Sequence, residues 1–183
     1  MELFLVRHGQ TDHNILDKAG IAGNNAPLNE TGIAQAKKAA EIIDSADIIY
    51  ASPLDRAQQT AEIITNKTGA KIITEPRLKE FDMGDWANFP LEQTKELFVQ
   101  NDAWSGGSNR YSFRVPNGES WQDVEVRVRA ILKGLTEKHG DQKVVLVSHN
   151  QTIRAFLGIL ENKDFENWFG FPIDNGSVWQ FEL

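Results

Sequence analysis

Leu3-Phe4-Leu5-Val6-Arg7-His8-Gly9 is the stretch on which the reading of this chain turns. Four apolar residues in a row, without alternation, suit a strand buried on both faces, as at the centre of a parallel sheet covered by helices. The run stops at Arg7-His8-Gly9. Two further runs have the same form. Ile48-Ile49-Tyr50-Ala51 leads into Ser52-Pro53-Leu54-Asp55-Arg56, and Val144-Val145-Leu146-Val147 into Ser148-His149-Asn150. Segments 71–74 and 178–183 are weaker strand candidates.

Helical patterns fall between the strands. Ile33, Ala36, Ala40 and Ile43 lie at helical spacing after a start at Asn29-Glu30-Thr31. A second helix is expected after Ser52, with Ser52 as cap, Pro53 in the first turn, Asp55 at the positive end, and Leu54, Ala57, Ala61 and Ile64 as its buried stripe. Val124, Val128, Ile131 and Leu135 predict a third over about 119–138. The fourth begins near Gln151 and carries Ile153, Phe156, Leu157 and Leu160. Strands alternating with helices imply an α/β sandwich. The stretch from Phe89 to Pro116 is less regular, and 101–117, rich in Gly, Ser and Asn, reads as a loop or lid.

The average composition, 40% hydrophobic and 25% charged over 183 residues, suits one globular domain spanning 1–183. It excludes collagen-like and disordered classes. With 19 basic and 26 acidic residues the net charge is −7, which argues against nucleic-acid or anionic-membrane partners. Cysteine is absent, so there is no disulfide framework, thiol nucleophile or thiolate metal site. Arg7 interrupts the first apolar run too early for a secretory signal. No apolar stretch approaches the ~18 residues of a membrane span. A cytoplasmic protein is expected, and no oligomeric state is read.

In open α/β sheets ligands bind outside the carboxyl ends of the strands. If the three confident strands are parallel neighbours, Arg7, His8, Arg56 and His149 converge there, with helix amino termini that favour anions. Arginine forks match phosphate oxygens and repel a metal ion. A neutral imidazole could attack phosphorus, provided its other ring nitrogen donates to a fixed acceptor. A second histidine, in its cationic form, would stabilise the equatorial oxygens during in-line transfer. The leaving alcohol needs an acid. Glu80 and Asp82, in Leu78-Lys79-Glu80-Phe81-Asp82-Met83-Gly84-Asp85-Trp86, compete for that role, an apolar surround being what would suit a carboxyl to it.

With Asn14 following it, Leu5-Val6-Arg7-His8-Gly9-Gln10-Thr11 resembles the signature of the histidine phosphatase superfamily, also called phosphoglycerate-mutase-like. The resemblance continues through Ser52-Pro53-Leu54-Asp55-Arg56-Ala57, Leu78-Lys79-Glu80 with Gly84 and Trp86, Pro116-Asn117-Gly118-Glu119-Ser120, Val147-Ser148-His149 and Asn175-Gly176-Ser177. It implies a three-layer α/β/α sandwich with a mostly parallel central sheet, no metal and no cofactor. It also implies that His8 is the phosphorylated nucleophile, that Arg7, Arg56 and His149 bind the phosphoryl group, and that Glu80 is the proton donor. Asn14, Gly23 and Thr11 fall among its phosphate- or substrate-binding positions. Asn150 departs from the family, which commonly has glycine there.

The expected activity is metal-independent hydrolysis of a small phosphate ester through phosphohistidine. A phosphoglycerate mutase and a non-catalytic phospholigand sensor are the alternatives, and a metal-dependent hydrolase is a weaker rival. His13 and His139 read as structural, and the five tryptophans mostly as core or lid packing. Arg110 and Arg114 would either recognise a distal anionic group or face solvent. Asn175 and Ser177 could shape the pocket or simply serve their turn.

Overall fold

A computed structural model describes residues 1–15 and 25–183. Strands β1 (Glu2–Arg7), β2 (Ile48–Ala51), β3 (Lys71–Thr74), β4 (Lys143–Ser148) and β5 (Val178–Glu182) form one sheet in the order β3-β2-β4-β1-β5. β5 pairs antiparallel with β1, and the other pairings are parallel. Arg7 stands opposite Ser148 and Ala51 opposite Val147. The residues that follow β1, β2 and β4 therefore leave the sheet along a single edge.

The helices are α1 (Asp12–Ile15), α2 (Glu30–Ile43), α3 (Asp55–Thr68), α4 (Leu91–Gln100), α5 (Trp121–His139) and α6 (Asn150–Leu160). Successive strand residues point to opposite faces of a sheet, and each face here has its own core. Leu3, Leu5, Val144 and Leu146 pack with Val124 and Val128 of α5 and Ile153 and Phe156 of α6. Phe4, Val6, Val145 and Val147 pack with Ala39 of α2 and Ala57, Ala61 and Ile64 of α3. Both faces of the central strands are thus covered, which is why their sequence runs are continuously apolar. The result is the three-layer α/β/α sandwich.

Capping sets the helix starts. The Asn29 side chain accepts from Gly32 N at 2.9 Å to begin α2, and Ser120 with Asp123 forms a reciprocal capping box on α5. α3 departs from expectation. It begins at Asp55 with Leu54 at its N-cap and no side-chain cap bond, because Ser52 is fully buried and spends its hydroxyl on a histidine. Ile33, expected inside, is 40% exposed, since Gly32 and Ala36 form the buried stripe of α2. Leu54 and Leu160 are only half-buried. Within 87–117, expected as a lid or insertion, α4 is a helix whose one fully buried residue is Thr94, with Leu97 and Phe98 partly buried against the core.

Candidate active site

His8 follows β1 directly and is 3% exposed. The backbone of the next residue, Gly9, touches that of Gly32: a Cβ on Gly9 would stand 2.2 Å from the Gly32 carbonyl oxygen. Only glycine fits there. The Gly9 N–H donates to Thr60 Oγ1 at 3.1 Å, and its carbonyl lies 2.7 Å from His8 Nδ1. A carbonyl can only accept, so Nδ1 carries the proton and Nε2 keeps its lone pair. Arg56 Nε donates to that Nε2 at 3.2 Å. Burial first, then the charges of Arg56 and Arg7, hold the His8 pKa well below 6.5 despite the Gly9 bond. The ring is neutral and in the tautomer a nucleophilic Nε2 requires.

His149 precedes α6 at its N-cap and is wholly buried. Its ring centroid lies 5.0 Å from that of His8. Nε2 meets the Ser52 hydroxyl at 2.7 Å, while buried Nδ1 has no hydrogen-bond partner among the described residues. Burial, then His8, Arg56, Arg7 and Arg127, push its pKa well below the ordinary histidine value. His149 is therefore neutral, and the cationic form considered for it from sequence is not the one this surround favours. With the Ser52 hydroxyl donating to Nε2, the Nδ1–H becomes a donor. Arg7 repeats the pattern: Nη1 donates to the Ile173 carbonyl at 2.6 Å, and buried Nε has no partner among the described residues. An unsatisfied buried donor costs about 1–3 kcal/mol, and these two belong to Arg7, which lines the site's cavity, and to His149, which packs behind His8 and is not part of the cavity wall.

The structure separates the two competing carboxylates. Glu80 Oε1 accepts from the backbone N–H groups of Phe81 at 2.9 Å, Gln151 at 3.0 Å and Thr152 at 3.3 Å, the latter two in the first turn of α6. Asp82 is exposed and accepts from Gly84 N at 2.9 Å within its own turn. Glu80 is thus held in the cavity wall by backbone N–H groups, and Asp82 is not part of that wall.

Asn14 Oδ1 accepts from Thr11 N at 2.9 Å, Thr11 Oγ1 at 3.1 Å and Asn175 Nδ2 at 3.3 Å. With its oxygen so occupied, the amide nitrogen is the end left to meet a ligand. Thr11, 1% exposed, braces Asn14 and is not itself part of the cavity wall. Gly23 lies outside the described residues.

Arg7, His8, Asn14, Arg56 and Glu80 share the wall of one cavity of about 540 Å³, which His13 and Gln151 also line. Arg110 reaches it from the 87–117 segment, whereas Arg114 pairs with Asp123 at 2.5 Å instead. Trp104 and Trp121 line it too, while Trp86 and Trp168 are core. His139 bonds Tyr50 and Gln142. Ser52 and Thr60 are supporting residues that sequence reading missed. Thr60 stands one helical turn beyond Arg56, whose carbonyl it also bonds at 2.7 Å, and that spacing was the available signal. Among the described residues no three or more of His, Asp and Glu gather where they could hold a metal ion, and no helix is long and apolar enough to cross a membrane.

The family model for the histidine phosphatase superfamily (branch 1) matches residues 3–183. Phosphoserine phosphatase 1 of Hydrogenobacter thermophilus is 32% identical over 181 residues, covering 97% of this chain and 84% of that protein. A probable phosphoglycerate mutase of Yersinia enterocolitica, GpmB, is 35% identical over 165 residues, covering 87% and 74%. Among solved structures, phosphoserine phosphatase from Entamoeba histolytica, in complex with 3-phosphoglyceric acid, superposes with a TM-score of 0.82 at 26% identity, over 99% of this chain and 90% of that one.

Proposed function

Because the chain belongs to the histidine phosphatase superfamily (branch 1), we propose that its cavity hydrolyses the phosphate monoester of a small metabolite through a phosphohistidine on His8. The observation that carries this reading is the pairing of an oriented nucleophile with unspent donors. His8 Nε2 is kept unprotonated by the Gly9 carbonyl, the His149 ring lies 5.0 Å away, and Arg7 Nε and His149 Nδ1 are buried without a partner among the described residues.

In the first step the His8 Nε2 lone pair attacks phosphorus and the bond to the ester oxygen breaks. Arg7, Arg56 and the Nδ1–H of His149 hold the phosphoryl oxygens, so charge that spreads over them meets donors already in place. Glu80, as the carboxylic acid, gives its proton to the departing alkoxide. In the second step water attacks the phosphorus of phosphohistidine and the P–N bond breaks. Glu80, now carboxylate, takes the water proton, returning both residues to their starting forms. The names of the relatives support a small phosphorylated metabolite as the substrate class.

His8→Ala tests the assignment. With p-nitrophenyl phosphate and EDTA in the assay, wild type turns over, and the variant falls to background with unchanged circular dichroism. Turnover retained by the variant would remove His8 from the mechanism. The likeness to a probable phosphoglycerate mutase sustains a second reading, in which phosphohistidine returns its phosphoryl group to a glycerate rather than to water. Bisphosphoglycerate would activate that enzyme and would leave a hydrolase unaffected.

A further inference from the structure

The cavity continues well past the phosphoryl-binding cluster, and its chemistry changes there. Phe81, Met83, Leu91, Phe98, Trp104 and Phe169 complete the wall of a space of about 540 Å³, a size suited to ligands much larger than a phosphorylated three-carbon acid. Leu91 is 40% and Trp104 41% exposed although both face this cavity. Large apolar side chains left open to solvent beside a polar catalytic cluster are the surface a ligand covers.

Of the two cations of this outer wall, Arg110 is poorly placed to clamp a carboxylate. Arg110 lies with its guanidinium 3.3 Å from the Phe169 ring centroid and bonded to Glu166 at 3.2 Å. Its charge is already matched, and it offers a flat face. Lys95 is exposed, with Nζ 5.9 Å from the Trp104 ring centroid. A second carboxylate on the substrate would therefore meet an Arg110 that already has its counter-ion.

From this we infer that the alcohol portion of the substrate is bulky and apolar, a phosphate monoester whose leaving alcohol carries an aromatic or comparably large hydrocarbon group seated between Leu91, Phe98 and Trp104. The inference rests on the phosphatase reading above and names its substrate class.

Three alkyl monoesters test it, two of them, ethyl and 2-phenylethyl phosphate, with leaving alcohols of similar acidity, so that their difference in rate reports binding rather than bond breaking. They are ethyl phosphate, 2-phenylethyl phosphate and phosphoserine. Wild type is expected to show a kcat/KM for 2-phenylethyl phosphate at least about tenfold above those for the other two, the size expected from burying one aromatic ring against another. Trp104→Ala, at an exposed position that folding tolerates, is expected to remove about tenfold of that advantage through KM, with kcat kept. Ethyl phosphate should change less than about twofold. Preference for phosphoserine, or an equal loss on all three esters in Trp104→Ala, would overturn the substrate class while leaving the phosphatase standing. Silence on all three and on p-nitrophenyl phosphate would overturn both.

Discussion

Two histidines of this molecule are buried at α-helix ends and do opposite things there. His139 closes α5, and both of its ring nitrogens are bonded: Nε2 meets the Tyr50 hydroxyl at 2.8 Å and Nδ1 meets Gln142 Oε1 at 2.7 Å. His149 opens α6 with Ser52 on one nitrogen and, among the described residues, no partner on the other, amid the charges of Arg56, Arg7 and Arg127. Burial is nearly the same, 5% and 0% exposed. What differs is whether the hydrogen-bonding capacity has been spent. A structural histidine consumes it within the fold. At a binding site some is held back, at a cost in stability, until a ligand with the complementary charge supplies the acceptor.

The contrast is broken most sharply by truncating each ring. On the phosphatase reading, His149→Ala takes a donor from the transferring phosphoryl group, so kcat/KM should fall by about 10²–10³, and the loss of its bond to the buried Ser52 hydroxyl should lower stability by about 1–3 kcal/mol as well. Steady-state kinetics beside differential scanning calorimetry would show it, and a loss below about threefold would place His149 outside the phosphoryl contacts. His139→Ala should cost stability alone. It takes the imidazole acceptor from the buried Tyr50 hydroxyl, which keeps only the Lys138 Nζ donor at 3.3 Å, so unfolding free energy should drop by about 1–3 kcal/mol with kcat/KM within about twofold of wild type. Urea titration measures the first quantity, and a large loss of activity at unchanged stability would reverse the two roles.

The smallest effect lies in pH. His8 and His149 have folded pKa values pushed below 6.5 by burial and by the neighbouring arginines. On acidification the unfolded rings take protons near 6.5 while the folded rings resist. The stability contribution is therefore complete above 6.5 and is lost as pH falls towards the lowered folded values. The slope is at most about 1.4 kcal/mol per pH unit for each ring. Urea midpoints at pH 7.5, 6.5 and 5.5 should fall more steeply for wild type than for His8→Asn/His149→Asn. Parallel profiles would show that these rings do not carry the acid sensitivity.

Much of the fold could be read along the chain. Leu3–Val6 and Val144–Val147 are continuously apolar because they are covered on both faces, so their sequence reports their place at the sheet centre. Arg7, His8 and His149 stand at strand ends, and parallel pairing brings those ends to one edge. α4 has Leu91, Leu97 and Phe98 at helical spacing, yet only Thr94 is fully buried, so its short stripe is not distinguished from the irregular sequence around it. The Ser52 expectation failed for a different reason. Its local chemistry suits a helix cap, but a buried imidazole was the partner that could not be seen.

By itself, then, the sequence determined the alternation of strands and helices, the sheet edge where charge gathers and the residue types that phosphoryl chemistry needs. All of these follow from neighbours in the chain and from the fixed periods of helix and strand. Only the tertiary structure decided that Glu80 rather than Asp82 enters the cavity, held by an N–H 71 residues away, and that Ser52 serves His149 across 97 residues. It also decided that Leu91 and Trp104 face the same space as His8. Hydrogen bonds and apolar contacts act over a few ångströms of space and carry no signature of sequence distance, so such choices become visible only when the chain has closed on itself.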